Sequence, residues 1–431
     1  MTLGAVLMLG GVSDGQGQEL SGAVGAAPTG ANFPSLDGVV LPTLPENWSD
    51  LPVRLTATQS VAYNSNIFGV ATGFALPPGS SHGDFISTTQ VGLSTKPYWF
   101  WYGQEFFFDA SFGEIRYLHQ VDFNSDIYTV DTGVNWTYAS RCSGALTALA
   151  SKSPSTVTTQ VVNSIESLLG ANYSTTTSFN ETGNCAFGNG YSAIFNSSET
   201  QTSNTNAVNS LNNSRSTMVA AGIEYKNSLS DLTGLATITD SNFSNRNAIT
   251  TPGLTNLFVE HDVSLTYVRT IDPNLSVTGQ IGLTGAGTEF TPALPRTLLP
   301  HYSATIGWTI TPKLSLTASA AKSISPPTTL VGNAQLSYTA QFSLVYRIAP
   351  KIAIGAGASV SYTSAVFTPG AGIVPGTFAG AQDLYSAQAS LTYTMTPFLV
   401  AALTASYNES VQSHLITPED LITVSLNYKP Y

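Results

Sequence analysis

Charge is scarce in this chain. Lys, Arg, Asp and Glu together make up 10% of its 431 residues, against about 25% in an ordinary soluble domain. Ser, Thr, Asn, Gly and Tyr take the place of charge. That balance suits a protein whose outer belt faces lipid and whose interior is wet but neutral. Long apolar runs are lacking too. The mean hydropathy is barely above zero, and nowhere do about 18 apolar residues follow one another as a spanning helix requires. If the chain crosses a membrane, it crosses as strands.

Positive charge is the scarcer sign, with 15 Lys and Arg against 26 Asp and Glu, a formal net charge of -11. With no basic stripe to neutralise phosphates, nucleic acid is excluded as a partner. Catalytic motifs are missing as well. The five histidines, His82, His119, His261, His301 and His414, are scattered. There is no His-Glu-x-x-His, no Gly-x-Ser-x-Gly, no phosphate-binding glycine loop and no cysteine pair at zinc spacing. The sequence therefore predicts no catalytic residues, no metal site, no cofactor and no enzymatic activity. Alternation makes His261 lipid-facing and its neighbours Glu260 and Asp262 lumen-facing, so these three should not form one site.

What is present is alternation of period two, the mark of strands with one oily and one wet face. From Ile422 to Tyr428 apolar and polar residues alternate strictly, and an aromatic, Tyr431, follows Pro430, which puts it out of register with Tyr428. Tyr302–Ile310, Leu336–Tyr346 and Tyr385–Met395 alternate in the same way, as do Val53–Tyr63, Tyr128–Tyr138 and Leu275–Leu283. Strands of about ten residues are long for a soluble sandwich and fit a tilted span of a bilayer. Aromatics such as Trp136, Tyr138, Tyr302, Tyr346, Tyr393 and Tyr407 fall at strand ends, where interfacial girdles belong. A soluble all-β protein is the fallback reading.

Short turns punctuate the pattern: Ile-Asp-Pro-Asn at 271–274, Thr-Pro-Lys at 311–313, Ala-Pro-Lys at 349–351, Thr-Pro-Phe at 396–398 and Lys-Pro-Tyr at 96–98. Proline presets the turn and cannot continue a central ladder. Two more turns fall near Ala139–Arg141 and Asn227–Asp231. All are expected on the periplasmic side, and with the two chain ends they enclose sixteen strands. The stretch from Ser153 to Asn213 is either one large extracellular loop or hides two more strands, roughly Tyr173–Thr182 and Tyr191–Thr202, with a turn near Asn184–Gly190. In the second case Cys142 and Cys185 lie at the same end of adjacent strands, close enough for a disulfide in the periplasm. Two free thiols are the alternative. The expected fold is an all-β transmembrane antiparallel up-and-down β-barrel of about eighteen strands, alternative sixteen, over residues 51–431. Residues 1–50 read as a residual signal-like segment, Leu3 to Gly11 without a preceding Lys or Arg, and a flexible periplasmic arm rich in Gly, Pro, Ser and Ala.

The region from Val53 to Tyr431 resembles the outer-membrane β-barrel porins of proteobacteria, in particular the exopolysaccharide-associated type. The resemblance rests on Ala62-Tyr63-Asn64-Ser65-Asn66-Ile67-Phe68 ending the first strand, although Asn64 and Ser65 stand where the family tends to carry acidic residues. It rests also on the Leu-x-Tyr-x-x-Thr-Pro hairpin at Leu391–Pro397 and on the closing Ser425-Leu-Asn-Tyr-Lys-Pro-Tyr431. It implies a pore in the bacterial outer membrane, among lipid and lipopolysaccharide, assembled through its C-terminal strand by the barrel-assembly machinery.

Inward positions are mostly Ser, Thr, Asn, Gln and Gly. The charged exceptions are Glu105, Asp109, Asp131, Glu224, Glu260 and Asp262, with Arg54 and Arg347 near the periplasmic mouth. Trp101, Gly103, Phe107, Ser111 and Gly113 share the inward face of Phe100–Gly113. Loops around Asn66–Phe85 and beside the hidden hairpin are the candidates to constrict the lumen. The expected function is passive diffusion of small hydrophilic solutes with a mild cation preference. An outlet for surface polysaccharide and a plugged structural barrel are the alternatives. Nothing in the sequence identifies an oligomer interface, and a homo-oligomer stays open.

Overall fold

The computed structural model describes residues 53–67, 81–95, 98–101, 104–139, 141–155, 172–205, 210, 213–245, 257–287, 297–325, 334–366, 381–412 and 415–428. Strands occupy nearly all of them. In chain order they are β1 (Val53–Asn64), β2 (Asp84–Thr95, continued in Tyr98–Trp101), β3 (Gln104–Tyr117), β4 (Ser125–Tyr138), β5 (Cys142–Ser155) and β6 (Asn172–Gly188). Then follow β7 (Tyr191–Asn204), β8 (Ser214–Lys226), β9 (Ser230–Asn242), β10 (Leu257–Asp272), β11 (Leu275–Gly287) and β12 (Thr297–Thr311). The last six are β13 (Leu314–Ser325), β14 (Ala334–Ala349), β15 (Ile352–Val366), β16 (Gln382–Thr396), β17 (Leu399–Gln412) and β18 (Leu415–Tyr428).

Each strand pairs antiparallel with its sequence neighbours. β18 returns to β1 in the register Ala57↔Tyr428 to Asn64↔Leu421, which closes an 18-stranded barrel. Closure leaves no open edge and satisfies the backbone within the sheet, the condition for strands to exist in lipid. The hidden hairpin is present as β6 and β7. Its reversal is tighter than expected: Gly188 pairs with Tyr191, and Asn189 and Gly190 both have positive φ, 55° and 82°. Asn-Gly is the residue pair that such a two-residue turn favours.

One expected turn is displaced. The chain does not reverse between Thr95 and Tyr98. The two segments of β2 lie along the same edge of β3, pairing Ile86↔Tyr117 to Ser94↔Asp109 and then Tyr98↔Phe106 to Trp101↔Gln104. The reversal therefore falls between Trp101 and Gln104, and Lys96 and Pro97 lie outside the described residues.

The four remaining proline turns share one construction. In each, two residues separate a closing pair, Asp272↔Leu275, Thr311↔Leu314, Ala349↔Ile352 and Thr396↔Leu399, and a register shift of one residue precedes it. Such a bulge fits a proline-led turn to the twist of the strands. Neighbouring hairpins are then joined at this rim. Thr270 N donates to Leu229 O, Thr309 N to Asn274 O, Arg347 N to Lys313 O and Thr394 N to Lys351 O, at 2.7–2.9 Å. Cys142 and Cys185 face each other across β5 and β6 near the same rim and are disulfide-bonded, with Cα atoms 4.1 Å apart. Cys185 stands within β6, ahead of the turn.

The faces follow the alternation. Val91 and Phe112 point outward as a cross-strand pair, 57% and 59% exposed, as does Val263 at 64%. Tyr302, Trp308, Tyr346, Tyr393, Tyr407 and Tyr428 are exposed on the same surface. Buried hydrophobic residues are few: Phe243, Phe258 and Ile324 form a cluster against Leu299 and Leu336. An apolar outer belt on a closed sheet with a polar interior is the arrangement of outer-membrane-type barrels. Residues 1–50 and positions 68–80 lie outside the described residues, so the expectations for the arm and for most of the Asn66–Phe85 loop fall there.

Candidate functional site: the barrel lumen

The inward rows of β12 to β16 carry Ser303, Thr305, Ser319, Ser337, Gln341, Ser359, Ser386 and Gln388, with Gly355 and Gly357 between them. Small hydroxyl and amide side chains offer both donors and acceptors without fixed charge. A wall of this kind is wetted and binds no ion strongly.

Among the described strands, charge enters the lumen in several places. The first is β3–β4. Asp109 stands directly opposite Asp131, and Glu105 opposite Asn135. Phe106 and Phe112, at alternate positions, face out and are 40% and 59% exposed. Arg54 belongs to the same cross-strand row through Ser94, which pairs with both Arg54 and Asp109. The row thus runs from a cation to two facing carboxylates.

The second place is the rim with short turns at β8–β9. Glu224 lies opposite Ser192 and Thr233 and accepts a hydrogen bond from Asn184 Nδ2 at 2.9 Å. Lys226 Nζ is 3.8 Å from Asp231 Oδ2 beside it. Arg347, opposite Ala353, is at this rim too.

The third is β10–β12. Asp262 lies opposite Thr237 and Thr284, and Glu260 opposite Thr239. Thr284 Oγ1 donates to Asp262 Oδ1 at 2.8 Å. His301, on β12, reaches over β11 to the same carboxylate, with Nε2 2.7 Å from Oδ1. The pair is close but not aligned as a hydrogen bond. The reach is permitted by Gly282, opposite His301: a Cβ there would collide with the imidazole and lie 2.8 Å from Val263 O. His261 is outward, as alternation predicts, so the Glu260-His261-Asp262 triplet is split between the two faces while His301 supplies the imidazole from elsewhere. Extending the alternation of Tyr302–Ile310 one residue back would have placed His301 inward.

Two further polar knots sit at the end with long loops. Asp84 is 1% exposed and accepts from the backbone N–H of Phe85, His119 and Gln120, with His119 Nδ1 2.9 Å away. It anchors the β3–β4 connection, where the Tyr173 hydroxyl also donates to Phe123 O. At the seam, Asn64 Nδ2 donates to Glu419 Oε1 at 2.5 Å and Asn66 Nδ2 to Pro418 O at 2.9 Å. Ser65 and Asp420 exchange two bonds, at 2.9 and 2.7 Å. Asn64, Ser65 and Asn66 thus tie the first strand to the last. Side chains of Tyr98–Trp101 and all of Gly103 lie outside the description, which leaves the expected inward Trp101 and Gly103 there. Among the described residues no group of three metal-ligating side chains converges.

No protein-family model and no curated protein matches the chain. Solved structures that resemble it include the outer membrane protein OpdK from Pseudomonas aeruginosa, 10% identical over 88% of this chain and 98% of that one, TM-score 0.45. OccK2 (OpdF) of the same organism, solved in complex with glucuronate, is 10% identical over 89% and 99%, TM-score 0.47. The siderophore receptor PirA, again from Pseudomonas aeruginosa, is 10% identical over 87% and 80%, TM-score 0.42. These similarities are too low to carry an argument about function.

Proposed function

We propose that this chain is a channel of the bacterial outer membrane through which small hydrophilic solutes diffuse passively. The observation that carries the reading is the closed 18-stranded wall whose inward rows are Ser, Thr, Gln and Gly, interrupted by carboxylates on β3, β4, β8 and β10. Barrels of 16–18 strands leave an aqueous channel. The mechanism needs no cofactor: passage is limited by size, and the Glu105, Asp109 and Asp131 wall gives cations a mild advantage.

An outlet for an anionic polysaccharide would call for an arginine-rich lining. Among the described strand residues the inward arginines are Arg54 and Arg347, and no observation favours that alternative. The reading is tested by reconstituting the purified protein in liposomes and measuring swelling with uncharged sugars of increasing size. Swelling that falls off with size supports a diffusion pore. Liposomes that do not swell with the smallest sugar, although the barrel is folded, would contradict it.

A further inference from the structure

The ladder that closes the barrel stops short of the end with long loops. β1 ends at Asn64, opposite Leu421, while β18 still pairs with β17 from Asp420 to Leu415. Above the last ladder pair, side chains take over. Glu419 faces inward there, opposite Asn408, and Asn64 Nδ2 donates to its Oε1 at 2.5 Å. Asn408 is 4% exposed, with the buried Ser386 on its other side. Its Nδ2 lies 3.4 Å from Glu419 Oε2, a long bond. Its Oδ1 is shielded from solvent and meets no donor among the described residues. A half-turn of the amide exchanges the two atoms and sets Oδ1 against the carboxylate instead. Either orientation leaves an oxygen unsatisfied. The Asn64 amide is fixed, because its Oδ1 accepts from the Asn66 N–H at 2.8 Å.

Charge points the same way. Asp84, opposite Asn64, and Glu419 bring two carboxylates to the inner face of the seam. Glu409 and Asp420 bring two more to the outer face beside it. Among the described residues, the one basic side chain paired with any of the four is His119, on Asp84. Glu419 has amide donors only. A carboxylate drawn out of water without a countercharge is expensive. A water molecule would satisfy Asn408 Oδ1 and leave that charge unpaired.

We propose that the seam binds a calcium ion, held by the Glu419 carboxylate and Asn408 Oδ1, with water completing its shell. An ionised carboxylate beside neutral amide oxygens is the donor set of a hard cation. Mg²⁺ demands a stricter octahedron. Transition metals favour nitrogen and sulfur ligands, and no three His, Cys, Asp or Glu side chains converge among the described residues. With one carboxylate in direct contact the site is weak, in the range of about 0.1–1 mM found in extracellular modules. The ion shares Glu419 with Asn64, and so clips the last strand to the end of the first where the ladder has stopped. The inference is independent of what the lumen conducts.

The test uses the full chain, purified in detergent and stripped with EDTA. It reads the temperature at which heat-modifiable migration is lost as Ca²⁺ is added. The native barrel should become more heat-resistant with a midpoint of about 0.1–1 mM Ca²⁺, and Mg²⁺ over the same range should do little. Glu419→Gln should remove the response. Asn408→Asp adds charge at the same place: it should lower heat resistance in EDTA and move the Ca²⁺ midpoint roughly tenfold lower, a shift that a merely structural amide would not give. A native barrel indifferent to Ca²⁺ well above that range would overturn the proposal. So would a response that Glu419→Gln keeps, as Ca²⁺ held by residual lipopolysaccharide would give. Should Glu419→Gln fail to fold, the Asn408→Asp midpoint decides, and an unshifted midpoint overturns the site. None of these outcomes touches the diffusion reading.

Discussion

Replacing Asp109 and Asp131 together by Asn should abolish most of the pore's preference for cations. The two carboxylates face each other across β3 and β4, where opposed Cβ atoms stand about 5 Å apart. A monovalent cation about 5 Å from each gains about 0.8 kcal/mol per carboxylate in water. At 0.1 M salt the Debye length of about 10 Å reduces the sum to about 1 kcal/mol. At roughly 1.4 kcal/mol per factor of ten, this amounts to about a fivefold enrichment of cations at the wall. At 1 M salt, with a Debye length of about 3 Å, about 0.3 kcal/mol remains, less than a factor of two. The assay is the reversal potential of single channels under a salt gradient. The native channel should lose most of its selectivity between 0.1 and 1 M, and the double variant should show little at either concentration. An unchanged reversal potential in the variant at 0.1 M would refute the assignment of this wall as the selective element.

Gly282→Ala should push His301 off Asp262 and cost about 1–3 kcal/mol, as overpacking does. Urea titration of the vesicle-inserted barrel checks this, and the penalty should shrink when His301→Ala is already present. Unfolded without reductant, the native protein should show no reactive thiol. Opening the Cys142–Cys185 bond, which spans a sequence separation of 43, should destabilise by up to about 4 kcal/mol on the loop-entropy model; two titratable thiols would contradict the pairing. Asn64→Ala removes a donor from Glu419 at the seam and should cost about 1–3 kcal/mol, read as a lower temperature for loss of heat-modifiable migration, whereas Thr305→Ala on the open wall should leave that temperature nearly unchanged.

Much of the wall was legible because a closed sheet in lipid imposes period two on every strand. Alternation alone placed Glu105, Asp109, Asp131, Glu260 and Asp262 inward and His261 outward, and the cysteine spacing pointed to the β6–β7 hairpin, which an apolar pattern reveals poorly since its outward row carries Glu181, Ser197 and Glu199. The misplaced turn at Lys96-Pro97-Tyr98 shows where local chemistry misleads. Proline signals a turn, yet the described segments on either side of positions 96–97 pair along the same edge of β3. His301 was missed for a different reason. Its meeting with Asp262 depends on an absent side chain at Gly282 one strand away, a cross-strand fact that register alone reveals. The anchoring of Asp84 by backbone N–H groups of a distant connection leaves no sequence signature at all.

The central claim is that the closed wall encloses a conducting aqueous path. Single-channel recording of the refolded protein in a planar bilayer tests it most directly. Steady, ohmic openings with a mild cation preference that fades at high salt are expected. Silence from protein shown to be folded by heat-modifiable migration would contradict it.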